Sequence, residues 1–597
     1  MSIITLNNDQ QAMLNGEQGL ARQMGMRLLL DMAAAAGATE LIPIHSAHLS
    51  GVSPLTGGLG LRQFLARLTA DPGPGVAVPT TLNSAGCDEG QFAEMRITAP
   101  NFLEHNHEIV DLYTRLGVQP TQSCTPYEWE GVVTEGTAAW AESNAICFGN
   151  SYCGLTTNRE SGLSALACAL TGYTPKYGLL AEGARRPNLE VTVTAVLHDP
   201  TDFSILGDWI GKQRQPGWKL PLGPIPLIKG LPDDLNHEQR KALTAAAANY
   251  GCPLLYIEGL SDAPEGEFQD HLVFDEAALA QRYADLRPSS PVSLITIGCP
   301  QASVGELRAT AELLRGQPLP PDGPPVWVFT SAHNKAIAEK TGLAEAIRAS
   351  GALLLENTCP EVVPYDQSWV HHVLTNSMKA EHYIKSGLNG IPTSVLKLAD
   401  CVRVARGEWQ AEESGERGTR NAERGVRSAE QNAHPLTPTP PNPHTGSFTA
   451  NGRGLPSQPN FIVRGEAFVT DAPITLLGFV NRETGVIEEE GHPANGQSLA
   501  GKIAIFPKGS GSTVAPYVLL ELFYRGKAPL AIVNTDIDQQ SAPACSLEGI
   551  PYAYGFDEDV IGRINNGDMV ELKREGDQVE LRVLDRVTAV LTFNQKQ

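Results

Sequence analysis

From about Gly407 to Asn460 the chain loses its apolar periodicity, and that break constrains everything on either side of it. The stretch opens GEWQAEESGERGTRNAERGVRSAEQNAH, mixed charge with a loose internal echo, and continues PLTPTPPNPHTGSFTANGRGLPSQPN. Such composition cannot bury enough apolar surface to offset the entropy of ordering. Residues 406–460 therefore read as a disordered linker between two folded units, 1–405 and 461–597. An ordered proline-rich surface loop is the alternative. A length of 597 residues also exceeds one hydrophobic core and suggests about two to four domains.

The two units differ in pattern. In 1–405, Asn8–Leu29 has helical spacing with Met and Leu on one face, and Glu306–Arg315 and Ala336–Ser350 read as amphipathic helices. Val76–Val78 and Pro291–Ile297 read as short buried strands. Strands alternating with helices predict an α/β class. The second unit is richer in β-branched segments: GKIAIFP, APLAIVNT, DMVELKR, QVELRVL and RVTAVLTF. A small barrel or sandwich with flanking helices fits them, one helix lying in TVAPYVLLELFYRG.

Charge and composition exclude some partners. A formal net charge of -22 argues against nucleic acid or an anionic membrane, since phosphates would be repelled. The most apolar runs, Leu28–Gly37 and Ile503–Pro507, fall far below the roughly 20 residues that cross a bilayer. The N-terminus has no basic region followed by an apolar one, so a cytoplasmic location is expected. Ten cysteines are too sparse for a disulfide scaffold, and most should be buried small hydrophobes.

Three cysteines stand apart: Cys124 in SCTPY, Cys299 in IGCPQAS and Cys359 in ENTCPEV. Each has a proline within two residues, and strand-end loops are where α/β proteins build sites. Three thiolates can hold an iron–sulfur cluster and leave one iron open. The spacing alone does not distinguish this from unrelated buried thiols. In the stretch Gly136–Gly172, dense in small residues, Arg159 could bind a carboxylate bidentately, against a plain packed helix pair. PTTLNSAG places Thr80, Thr81 and Asn83 after a strand, or in an ordinary capping turn. In NSMKAEHY, Lys379 and His382 share one helical face, which spacing alone makes a solvated face. In KGSGSTVAPY, Ser512 lies in a Gly-flanked loop entering a helix, where backbone N–H groups favour anions; a flexible turn is the alternative.

Taken in order from Ser46 to Asp557, these segments resemble the aconitase X family. The large unit does so through SAHLSGVS, VPTTLNSAG, CTPYE, WAESNAICFGNS, TTNRESG, ALTGYTP, IGCPQAS, NTCP and NSMKAEHY. The second unit does so through GEAFVTDAPITLLGFVNRETGVI, FPKGSGSTVAPYVLLEL, APLAIVNT and GIPYAYGFDED. The resemblance implies an α/β aconitase-like catalytic domain joined by the linker to a smaller β-rich swivelling domain. It implies that Cys124, Cys299 and Cys359 ligate an iron–sulfur cluster, [4Fe-4S] or a smaller iron centre, and that Ser512 is the proton acceptor. The chain departs from the family pattern at Gln301, where His is common, and at Ala515–Pro516, where Gly-Ser is common.

The expected reaction is elimination of water from a β-hydroxy carboxylate. Within the family, SGVS and TTLN look more like the branch acting on (R)-5-phosphomevalonate. There Gly51, Val52, Ser53, Asn83 and Ser84 fall at matched substrate-contact positions, and Lys379 or Lys508 could serve a phosphate. Single-chain organisation points instead to cis-3-hydroxy-L-proline. A catalytically inactive iron-binding regulator and a true isomerase are readings of other kinds. The expected partner inside the chain is the pairing of large and small domains.

Overall fold

A computed structural model describes residues 4–70, 73–213, 218, 220, 222–385, 388–409, 448–489, 491–510 and 513–584. Most of the stretch read as linker, 410–447, lies outside the described residues, as does the RVTAVLTF segment beyond Leu584.

The large unit holds three parallel sheets. The first orders its strands Thr80–Leu82, Ser46–Leu49, Gly136–Trp140 and Leu155–Thr156. The second runs His271–Phe274, Leu189–Val193, Pro226–Lys229 and Tyr256–Ile257. The third runs Leu353–Glu356, Val326–Thr330, Leu294–Ala302, Val373–Thr375 and Thr393–Val395. Central strands such as Leu294–Ala302 and Val326–Thr330 are buried at every position, as parallel strands covered by helices on both faces must be. Side-chain caps begin the covering helices: Asn236 and Gln239 form a reciprocal box at His237–Ala248, and Ser161 and Ser164 do so at Gly162–Thr171.

Several expected elements differ. The strand read at Val76–Val78 is Thr80–Leu82, because the N–H groups of Val76 and Ala77 donate to Leu116 and Ala169 outside the sheet. Glycines interrupt two expected helices. Asn8–Asn15 ends at Gly16 and Leu20–Ala36 follows; Ala332–Thr341 ends at Gly342 and Leu343–Ala349 follows. Both Gly16 and Gly342 take the left-handed conformation that terminates a helix.

The second unit is a closed seven-stranded barrel ordered Thr449–Gly454, Tyr552–Tyr554, Ala531–Asn534, Ile503–Ile505, Ile462–Val469, Met569–Glu575 and Gln578–Val583. Its first strand falls inside the stretch 406–460 read as linker, so the folded unit begins before 461. That strand alternates exposed and buried positions, but the inward ones are Ala450, Gly452 and Gly454. A Cβ on Gly452 would sit 2.9 Å from the Phe556 ring. The close packing that demands glycine there erases the apolar signal of a strand.

The helix Pro516–Tyr524 leaves the barrel and packs on Pro54–Thr69 of the large unit, inside one shared apolar core that includes Leu61, Phe64, Tyr517 and Leu519. Pro516 occupies the first helical position, where its missing N–H costs nothing. Glycines let the backbones approach: a Cβ on Gly60 would lie 2.5 Å from Glu521 N and 2.7 Å from Tyr517 O. Arg482 pairs with Glu521 at 3.2 Å and donates to the Leu55 and Thr56 carbonyls. Among the described residues no helix is long and apolar enough to cross a membrane.

Gly60→Ala should therefore destabilise the protein by about 1–3 kcal/mol through overpacking against immobile backbone. Scanning calorimetry checks it, and an unchanged unfolding profile would show that the two helices separate freely.

Candidate active site

The first and third sheets meet the barrel at a buried cavity. Its centre is Lys379, on the helix Met378–Lys385 that follows a strand of the third sheet. The side chain is 2% exposed, so it is no part of a solvated face. Its ammonium lies 2.5 Å from Glu142 and 3.3 Å from Glu361. Glu142 caps the helix Ser143–Tyr152 at the end of the first sheet, accepting from Asn144 N, and Glu361 lies just after Cys359, beyond a strand of the third sheet. Burial disfavours the charge on Lys379, but the two carboxylates overcome it and hold the ammonium well above its ordinary range. Burial likewise opposes the charge on Glu142, yet Lys379 keeps that carboxyl below the usual range. Burial raises Glu361, and the Glu142 charge adds to it while Lys379 opposes.

Cys124 and Cys359 line this cavity, and the Cys299 thiol donates to Glu361 Oε1 at 3.0 Å. Burial pushes the Cys124 thiol up to about 12, and lifts Cys299 and Cys359 well above the thiol range. Cys359 feels Cys124, and Cys299 feels Cys359, so the three thiols share one region. Among the described residues no three Cys, His, Asp or Glu side chains are grouped so as to hold a single metal ion. A cluster asks less, because each thiolate binds a different iron and the ligands stand further apart. Three buried thiols in one region, two of them lining the cavity and the third bonded to its Glu361, fit such a group, since a metal cation would favour the thiolate.

Of the other residues singled out in the sequence, Gly51, Val52, Asn83 and Ser84 line the cavity. Asn83 donates to Glu142 at 2.7 Å, while its Oδ1 and the hydroxyls of Ser50 and Ser84 are buried with no protein partner. Orphaned polar atoms around one cavity are expected where a polar ligand binds. Ser53 is not among the lining residues: its hydroxyl caps the helix Pro54–Thr69 and donates to Val362 O at 2.9 Å. Arg159 lies in an adjoining cleft between the large unit and the barrel. Ser512 lies outside the described residues. Its neighbour Thr513 lines both the cavity and the cleft, and donates to Ala141 O at 3.2 Å beside Glu142.

Sequence reasoning missed Glu142, Glu361 and His48. A buried lysine demands carboxylates, but Lys379 shows as buried only once the fold is known. His48 is fully enclosed on the first sheet, with Nδ1 2.8 Å from the Thr81 hydroxyl, and burial lowers it to about 4, so its imidazole is neutral.

These elements define a multidomain α/β enzyme whose buried lysine–carboxylate–thiol cavity is closed by a β-barrel. Residues 3–183, 292–407 and 459–581 match the Aconitase X first domain, third domain and swivel domain. The phosphomevalonate dehydratase large subunit of Thermococcus kodakarensis is 33% identical over 389 residues, 64% of this chain and 95% of that protein. The small subunit of the same enzyme from Thermococcus gammatolerans is 38% identical over 121 residues, 20% of this chain and 88% of that one. The cis-3-hydroxy-L-proline dehydratase of Hypocrea jecorina is 31% identical over 423 residues, 67% of this chain and 68% of that protein. A crystal structure of Thermococcus kodakaraensis aconitase X in its holo-form superposes with a TM-score of 0.61 at 31% identity, covering 67% of this chain and 100% of that one. The chain belongs to the aconitase X family and is a hydro-lyase of the dehydratase kind.

Glu160, beside Arg159, gives a pH test of the surrounding burial. Burial raises its carboxyl to about 7 from an ordinary 4.5, a Ser164 hydrogen bond only partly opposing. The folded form then holds the proton more tightly than the unfolded form, so stability falls as pH rises from about 4.5 to 7. Glu160→Gln should match the natural protein near pH 4.5 and exceed it by up to about 3 kcal/mol at pH 8. Denaturant unfolding at both pH values checks this, and equal differences at the two would refute the burial argument.

Proposed function

We propose that the protein dehydrates (R)-5-phosphomevalonate, a β-hydroxy carboxylate with a distal phosphate. The observation that carries the choice is Arg159. This guanidinium makes no ion pair among the described residues, its Nε is buried without a partner, and its cleft joins the cavity at Thr513. Its charge also acts on Tyr383, which lines the cavity. A half-buried, unpaired cation next to a substrate cavity favours a substrate with a second anion.

Cys124, Cys299 and Cys359 would hold the iron–sulfur group, a Lewis acid that makes a β-hydroxyl a better leaving group. The chain's own side chains supply the rest. Lys379 keeps positive charge at the floor of the cavity, near the substrate carboxylate. Ser50, Asn83 and Ser84 offer the hydrogen-bonding atoms that lack protein partners. Leu477 and Val514 of the barrel close the cavity against water. Ser512, next in sequence to Thr513, takes the proton as its alkoxide from the carbon next to the carboxylate; the C–H electron pair becomes the double bond, the C–O pair leaves with the oxygen as hydroxide, and the proton that Ser512 then gives up completes the water released.

The second reading, cis-3-hydroxy-L-proline, draws support from Asp538, a carboxylate in the same cleft that could pair with a ring ammonium. The Ser541 hydroxyl already donates to that carboxylate, which weakens its claim.

The test is an anaerobic assay of the iron-reconstituted protein against both compounds in parallel, following alkene or pyrroline formation. Turnover of phosphomevalonate alone is expected; turnover of hydroxyproline alone would overturn the substrate choice. Arg159→Met should raise the KM for phosphomevalonate by about ten- to a hundredfold, the worth of a hydrogen bond to a charged group. Ser512→Ala should cut kcat by at least about a hundredfold with iron content unchanged; near-normal turnover would remove Ser512 from the mechanism.

A further inference from the structure

Gln301 does not line the cavity, yet its buried side chain bonds the loops of Cys124 and Cys359 while its backbone belongs to the strand that carries Cys299. It lies in the strand Leu294–Ala302, which pairs with its neighbour at Ile297–Val328 and again at Ala302–Thr330. Four residues, 298–301, therefore stand opposite the single residue Phe329. The bulge turns Cys299 toward Glu361 and carries Gln301 between the other two cysteine loops.

Every polar group of Gln301 is committed. Its Oε1 accepts from Cys124 N at 3.3 Å, and its own N–H points at Cys124 Sγ at 3.3 Å. Its Nε2 donates to Gln122 O at 3.2 Å and to Thr358 O at 2.9 Å. Its carbonyl accepts from the buried Lys241 ammonium at 2.9 Å, which Glu306 pairs in turn. One carboxamide thus bridges the Cys124 loop and the Cys359 loop from within the Cys299 bulge.

Those two loops need such a tie. Gln122 and Asn357, each two residues before a cysteine, hold positive φ values of 46° and 65°. Side chains rarely adopt that conformation without surrounding structure to impose it. Gln301 fixes the carbonyl of Gln122 itself and the one immediately after Asn357.

We propose that Gln301 is the positioning residue for the three thiol ligands: it sets their separation and so governs how tightly an iron–sulfur group is retained. This rests on the cofactor reading given above. Only a side chain with donor and acceptor at one end meets both loops. Gln301→Ala loses all three side-chain bonds. Gln301→His can keep one donor and one acceptor.

The experiment uses the full chain, reconstituted anaerobically with iron and sulfide. Iron and acid-labile sulfide per chain, visible absorbance, the EPR signal and the half-life of the absorbance under a chelator are measured alongside the melting temperature. In Gln301→Ala the half-life should fall by about ten- to a hundredfold, the usual cost of removing a residue that orients metal ligands. Gln301→His should fall between it and the natural protein, and carries the test if the alanine variant does not fold. Thr310→Val, which loses a buried 2.8 Å bond to Glu306 O in the same unit, should lower the melting temperature and leave half-life and spectrum alone. If the natural chain takes up no iron and sulfide, the cofactor reading fails and this inference with it. If it does, and both Gln301 variants keep its half-life and spectrum, the cofactor reading stands and the role of Gln301 is overturned.

Discussion

The Lys379 ammonium between Glu142 and Glu361 is the interaction on which the rest depends. Removing an ammonium from water costs several kcal/mol, and only close, well-oriented carboxylates recover it. Here the partners come from beside different sheets of the large unit. Glu142 follows a strand of the first sheet, while Lys379 and Glu361 follow strands of the third. The ion group therefore forms only when those sheets meet in one relative placement. The thiols obey the same constraint, Cys124 lying beside the first sheet and Cys299 and Cys359 in or just after strands of the third. A buried charge network of this kind adds little net stability, but it penalises every other docking.

The barrel is held by a different force. Its helix Pro516–Tyr524 shares an apolar core with Pro54–Thr69, and Tyr517 reaches through to donate to Ser50 O at 3.2 Å. A Cβ on Gly51 or Gly162 would each lie 2.3 Å from the Tyr517 ring system or its hydroxyl, so these glycines exist to admit that side chain. Ser50, Gly51 and Val52 line the cavity, so the barrel shapes the site by packing on the loop that forms its wall.

Much of this organisation is legible in the sequence. The α/β alternation, the β-rich second unit and the distinct contexts of Cys124, Cys299 and Cys359 all show in local pattern. What stays hidden is set by contacts distant in the chain. Helical periodicity cannot tell that the face bearing Lys379 meets Glu142, more than two hundred residues earlier. Ser53 carries a hydroxyl in the right motif, and only the geometry shows it spent on a helix cap. Thr449–Gly454 reads as linker because a crowded barrel wall accepts only Ala and Gly there.

The same packing bears on why the large and small parts can share one chain. Joining two partners raises their effective concentration, to roughly the millimolar range for a flexible connection. That matters most when the partners bind weakly. Here they share a continuous core, bonds from Arg482 to the Leu55 and Thr56 carbonyls, the Arg67–Glu548 pair at 2.8 Å and bonds from Ser457 and Ser546 to buried Asp31. Relatives of the two parts are named as separate large and small subunits. What fusion adds is equal stoichiometry. Each cavity built by the first and third sheets comes with its own barrel, and with it the segment that brings Thr513 to the cavity wall.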